Sequence, residues 1–156
     1  MDDLSIQQRH TQSLPINVYG LAGDLGLRVS TIDIAESGRM QYIRDTWCIL
    51  INSKLNPAQQ KFTLAHMIGH YLLHRDLMKK DLHVDLLFGD EAAKNPSFPL
   101  EPRHDDQANR IAADILMPAP LMRDHKNLSL KELSEKFGLP EKPLKIRRKH
   151  LRISSE

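Results

Sequence analysis

Cysteine is nearly absent from this chain of 156 residues: Cys48 stands alone, so no internal disulfide can form. That usage suits a reducing compartment, and the expected location is the cytoplasm. Long apolar runs are missing too. The longest unbroken one, Trp47 to Ile51, is far too short to cross a bilayer. The opening residues, Met1-Asp2-Asp3-Leu4, are acidic and lack the basic-then-apolar order of a secretory signal. Internal repeats and low-complexity tracts are lacking as well. A disulfide-stapled secreted domain, a membrane span and a repeat array are therefore not expected.

What is present is an ordinary globular composition, 40% apolar and 27% charged. A chain of this size buries roughly 68–70% of its unfolded surface, enough for a core without staples. The net charge of +2 is unevenly spread. Lys142 to Arg152 holds six cations and no acid, which leaves the remainder at −4. A mildly acidic body with a basic C-terminal end results.

Along the chain, residues 1–14 are polar and read as a flexible arm. Val18, Leu21, Ala22 and Leu25 recur at helical spacing until Gly26. Leu27 to Ile34, Arg39 to Arg44 and Thr46 to Asn52 are short and rich in β-branched and aromatic residues, which predicts a small antiparallel three-stranded sheet. Asn56-Pro57 opens a helix that carries an apolar pattern to about Arg75. A mostly irregular stretch of residues 77–103 follows, with Gly89-Asp90, Pro96, Pro99 and Pro102. A stretch of that length without structure of its own suggests a lid. A helix from His104 to Met117 ends at Pro118 and Pro120. Ser129 then caps a helix through Phe137, and Pro143 to Leu151 is a candidate for another.

Chemistry concentrates in His66-Met67-Ile68-Gly69-His70. Histidines four residues apart on a helix lie about 40° apart around the axis and one turn apart along it. Both imidazoles can then share one tetrahedral ion at about 2.0–2.1 Å. A third ligand would complete a hydrolytic zinc site. In the H-E-x-x-H pattern of zinc peptidases the Glu takes the proton from the attacking water. Met67 stands in that slot here and offers no useful base. Two helical histidines alone are a weak signal, and packing histidines are commoner than ligands.

The surrounding residues are more specific. Lys61-Phe-Thr-Leu-Ala-His-Met-Ile-Gly-His-Tyr-Leu-Leu-His74 is followed by Asp105-Asp-Gln-Ala-Asn-Arg-Ile-Ala-Ala-Asp-Ile-Leu-Met-Pro118. Together these resemble the ImmA/IrrE family of zinc metallopeptidases. The resemblance covers about residues 15–152 and departs at Met67 for Glu, at Ile111 for Phe and in a more proline-rich tail. It implies an α+β fold, with the small sheet packed on a zincin-like helix and a helix-turn-helix-like tail. The expected divisions are an arm at 1–14, a metallopeptidase-like domain at 15–125 and a basic tail at 126–156. It also implies Zn²⁺, or another divalent metal, held by His66, His70 and an acid at the start of the Ala-Asn helix. Asp105 shares the inward face with Ala108 and Ala112, whereas Asp106 turns about 100° away, so Asp105 is the expected third ligand. The alternative is that both acids merely favour a helix N-terminus.

Other neighbours read as bland. His74 drifts another 40° and another turn along the helix, which suits packing or support of a ligand better than ligation. His104 reads as solvated and Tyr71 as structural. Asp76 sits at a metzincin count, but Leu73 fills the required Gly slot. Cys48 reads as an inert buried thiol. The strand carrying Cys48, Ile49, Leu50 and Ile51 is a candidate edge for a bound peptide beside the metal helix.

In function, the resemblance implies bacterial or phage regulation through cleavage of a helix-turn-helix repressor. With Met67 in the base position, a metallo-endopeptidase by resemblance is expected to be proteolytically impaired. A pseudopeptidase that grips a regulator or antitoxin without cutting it is the alternative. A third reading is DNA binding through Lys145, Arg147, Arg148 and Lys149. It is weighed against a solvated helix packed by Leu144, Ile146 and Leu151.

Overall fold

The computed structural model describes residues 2–78, 83–85 and 102–153. The expected lid, with its Gly89-Asp90 turn, Pro96 and Pro99, lies mostly outside the described residues. One departure comes at the start. Residues expected to be irregular form α1 (Asp3–His10), where the Asp2 side chain accepts from the Ser5 amide at 2.8 Å. Ile6 is buried in the core, and Arg75 bonds Asp3 at 3.2 Å. A single buried side chain leaves almost no apolar periodicity to read.

Helix α2 (Val18–Asp24) starts from the Asn17 cap, as the pattern suggested. Three strands follow: β1 (Arg28–Ile32), β2 (Gly38–Ile43) and β3 (Thr46–Asn52). Arg44 and Asp45 both take positive φ, 51° and 62°, closing a two-residue hairpin whose twist suits its strands. The α+β class holds, but the sheet is mixed. β1 runs parallel to β3 in the register Val29↔Ile49, while β2 is antiparallel to β3 in the register Met40↔Ile49. A short β4 (His83–Asp85), within the stretch read as irregular, pairs antiparallel with β2, giving the order β1-β3-β2-β4.

This order overturns one expectation. β3 lies between β1 and β2, so the backbone groups of Cys48, Ile49, Leu50 and Ile51 are already paired. No peptide can add to that strand. Ile49 and Ile51 are buried under the helices, whereas Cys48 and Leu50 are only half-buried on the opposite face.

Helix α3 (Pro57–Met78) begins with a reciprocal cap: the Gln59 amide donates to Asn56 Oδ1 at 2.8 Å and the Asn56 amide to Gln59 Oε1 at 3.1 Å. Every residue from Thr63 to His70 is buried. A helix covered on all sides has an apolar pattern all round. The sheet covers one side and α4 (Pro102–Leu116) the other. The α3–α4 crossing is close because residue 69 is glycine. A Cβ there would lie 2.7 Å from the Ala108 carbonyl oxygen.

Three short helices close the chain. α5 (Ala119–Asp124), unforeseen beyond Pro118 and Pro120, is followed by α6 (Leu130–Phe137) and α7 (Glu141–His150). Ser129 and Glu132 form a capping box on α6, and Gly138 ends it with φ +67°. Pro143 sits in the first turn of α7, where its missing N–H costs little. Leu133, Phe137, Leu139 and Leu144 join the same hydrophobic core as the sheet and α3. Among the described residues no helix is long and apolar enough to cross a membrane.

Candidate metal centre

Helix α3 supplies two imidazoles and α4 supplies a carboxylate. His66 Nε2 and His70 Nε2 are 3.1 Å apart. Asp105 Oδ1 lies 3.1 Å from His70 Nε2 and 3.4 Å from His66 Nε2. Ligands held tetrahedrally at 2.0–2.1 Å from zinc stand about 3.3 Å from one another. The three atoms therefore have the spacing of three corners around one cation. His66, His70 and Asp105 are also the metal-competent group found among the described residues. Both histidines are buried, and the Asp105 side chain is 33% exposed, which leaves one open side. The donor set, two neutral nitrogens and one carboxylate oxygen, suits a divalent ion such as zinc.

Each imidazole has a further contact at its other nitrogen. His66 Nδ1 lies 2.7 Å from Asn109 Oδ1, and His70 Nδ1 lies 2.9 Å from His74 Nδ1. His74 Nε2 in turn lies 2.7 Å from Gln107 Oε1. Burial lowers the pKa of His74, and the nearby His70 and His104 act in the same direction; the Gln107 bond and Asp105 oppose them. His74 is thus held towards its neutral form, with one N–H and one lone pair.

Helical spacing favoured Asp105 over Asp106, and Asp105 lies beside the two histidines. Spacing did not assign any role to Gln107 or Asn109. Their signal was present: both lie on the same helix as Asp105, within four residues of it. His104, expected to be solvated, is buried, with its ring 4.7 Å from that of His74. Tyr71 is structural, as expected. Its ring packs edge-on to Trp47, and the Arg75 guanidinium lies over it at 4.6 Å.

Met67 is 1% exposed and belongs to the core. Its Cε lies 2.8 Å from where a Gly38 Cβ would stand. No proton acceptor comes from this position.

The basic tail does not offer four free cations. Arg147 Nε donates to the Met117 carbonyl at 2.9 Å and its Nη2 to Asp114 at 2.9 Å. Arg148 is buried too and donates to the Leu128 carbonyl. These two guanidiniums pin α7 to the body, which removes them as nucleic-acid contacts. Only Lys145 and Lys149 of that group remain exposed.

The chain is 40% identical over 91 residues to the radiation response metalloprotease IrrE of Deinococcus radiodurans, a match covering 58% of this chain and 23% of that protein. It is 44% identical over 77 residues to the IrrE of Deinococcus deserti, covering 49% and 24%. The matched region is thus about a quarter of the length of those relatives. An immunity region protein of Bacillus phage phi105 is 25% identical over 128 residues, covering 80% of this chain and 74% of that one. A solved Mycobacterium tuberculosis transcriptional regulator shares the fold, with TM-score 0.56 at 19% identity over 91% of this chain and 44% of that one. The IrrE N-terminal-like domain model of the M78 peptidases matches residues 22–149, and the chain belongs to that family.

Proposed function

We propose that this chain is a cytoplasmic, zinc-binding protein of the metallopeptidase fold that engages a helix-turn-helix transcription regulator, with hydrolysis impaired at position 67. One observation carries the reading: the Nε2, Nε2 and Oδ1 atoms of His66, His70 and Asp105 converge at metal-ligand spacing beside a buried Met67. In this reading residues 15–125 form the peptidase-like body and 126–156 a tail that completes it. The phage relative's name, an immunity region protein, supports a regulatory setting.

His66, His70 and Asp105 would hold the ion. A divalent ion supplies Lewis acidity to a carbonyl and to water. Asn109 and His74 lie against the two Nδ1 atoms, which leaves both Nε2 atoms facing inward. Hydrolysis also needs a group to take the proton of the attacking water. A thioether cannot do so, and losing a general base costs on the order of 10²–10⁴-fold in rate. Binding does not depend on that proton. Engagement of a regulator without efficient cleavage follows.

The test is metal analysis of the purified chain beside His70→Ala, then incubation with a helix-turn-helix transcription regulator, with and without chelator. The expected result is about one zinc per chain, lost in the variant, and stable binding without cleavage. Brisk cleavage abolished by chelator would refute the impairment. A zinc-free chain would refute the metal centre.

A further inference from the structure

The contacts around His70 point beyond the three ligands. His70 and His74 meet through their Nδ1 atoms at 2.9 Å, and His74 Nε2 meets Gln107 Oε1 at 2.7 Å. Two nitrogens in contact with no cation between them require one donor and one acceptor. If the Gln107 carbonyl accepts, His74 carries its proton on Nε2. His74 Nδ1 is then a lone pair and accepts from His70 Nδ1–H. That leaves His70 Nε2 as a lone pair facing His66 and Asp105. Reversed polarity has the opposite outcome: a proton on His74 Nδ1 forces the His70 proton onto Nε2, where it blocks ligation. The Asp105 carboxylate, 3.1 Å from that nitrogen, would accept such a proton. Something must therefore hold the chain in the metal-ready sense.

We propose that His74 and Gln107 are positioning residues for the metal centre: the Gln107 carbonyl sets the tautomer of His74, and His74 sets that of His70. This rests on reading His66, His70 and Asp105 as a metal site. The two ligand histidines are oriented differently. His66 has the Asn109 carbonyl directly, whereas His70 has a carbonyl one imidazole away. The intervening ring is needed because His70 is 0% exposed and His74 only 4%. The Nδ1 contact thus lies between two buried rings, and Gln107 sits at an exposed position of α4.

That exposure makes the test clean, because substitution at Gln107 leaves the core alone. Zn²⁺ affinity is measured by chelator competition for the unmodified chain, Gln107→Met, Gln107→Glu and Asp105→Ala. Nitrogen-15 spectra of the Zn²⁺-loaded chain give the His74 tautomer. Gln107→Met is nearly isosteric but cannot accept strongly, and should weaken Zn²⁺ binding about 10–100-fold, the usual cost of losing a ligand's outer partner. Gln107→Glu keeps the acceptor and should restore the affinity. His74 should be the Nε2–H tautomer in the loaded chain, a signature that mere packing would not demand. Unchanged affinity in Gln107→Met, or a His74 proton on Nδ1 in the loaded chain, overturns the positioning role. Failure of the unmodified chain to bind Zn²⁺, or full binding by Asp105→Ala, overturns the metal site itself and this proposal with it.

Discussion

Gly69 of α3 lies directly against the backbone of Ala108 in α4: a Cβ on Gly69 would stand 2.7 Å from the Ala108 oxygen and 2.9 Å from its Cα. Backbone cannot swing aside as a side-chain tip can. The absence of one carbon thus sets how closely α4 crosses α3, and with it the reach of Asp105 to the two histidines. Gly69→Ala should separate the helices. The expected cost is about 1–3 kcal/mol by overpacking, together with at least a tenfold loss of Zn²⁺ affinity. Gly23, in α2, has nothing within 4 Å of its would-be Cβ. Gly23→Ala should instead stabilise by about 0.5–1 kcal/mol and leave metal binding unchanged. Urea denaturation and zinc titration on the pair separate packing from helix propensity.

Arg147 should prove structural. Its guanidinium satisfies the Met117 carbonyl just past the end of α4 and pairs with Asp114 while only 8% exposed. Arg147→Ala strands these partners and should cost about 2–4 kcal/mol. Lys149→Ala, at an exposed position of the same helix, should change stability by less than about 0.5 kcal/mol. Equal effects in thermal melts would contradict this division of the basic run.

These arginines mark a limit of reading from sequence. A run of cations looks solvated, and nothing local says that two of them face backbone carbonyls, at Met117 beyond α4 and at Leu128 before α6. The candidate metal group was legible for a different reason. His66 and His70 sit one turn apart on one helix; the resemblance of the surrounding residues pointed to an acid at the start of the later helix, and the face shared with Ala108 and Ala112 chose Asp105 over Asp106. Strands β1, β2 and β3 were found by composition, but the direction of β1 was not, and β4 was read as irregular. Alternation tells which face a residue takes and not which way its neighbour runs. The parallel pairing of β1 with β3 depends on the passage from Ile32 to Gly38 across the end of β3, where Ser53 N bonds the Ile32 carbonyl and Asn52 N bonds that of Ser37.

Glu36 should contribute to acid sensitivity. Burial, the largest single influence, would raise its pKa, but the Arg39 hydrogen bond, the Arg39 charge and backbone hydrogen bonds at Glu36 and Ala35 together outweigh it and hold the carboxyl below the usual 4.5. A carboxyl with a depressed folded pKa stabilises the native state above its unfolded value, and this contribution is lost as pH falls through the folded one. Stability should therefore drop from about pH 4.5 downward. Glu36→Gln should be less stable than the unmodified chain at pH 7 and should show a shallower fall between there and pH 3. Parallel pH profiles for the two would contradict the assignment.

Position 67 can be tested through its neighbour. Thr63 Oγ1 is buried with no hydrogen-bond partner among the described residues, and its Cγ2 and Met67 Cε lie 2.7 and 2.8 Å from where a Gly38 Cβ would stand. Thr63 stands one helical turn before Met67, so a carboxylate at 67 would be within reach of its hydroxyl. In the unmodified chain Thr63→Val removes an unsatisfied group and should be neutral or stabilising by up to about 1 kcal/mol. Met67→Glu buries a carboxylate and should destabilise the zinc-free chain by about 2–4 kcal/mol. If the hydroxyl donates to the introduced carboxylate, Thr63→Val in the Met67→Glu background should become destabilising, with a coupling of about 1–2 kcal/mol in the double-mutant cycle. The same Met67→Glu chain, loaded with zinc, should gain about 10²–10⁴-fold in cleavage of a bound regulator, the usual worth of a general base. A stable double variant with no coupling and no gain in cleavage would mean that position 67 faces the core alone and never served the metal.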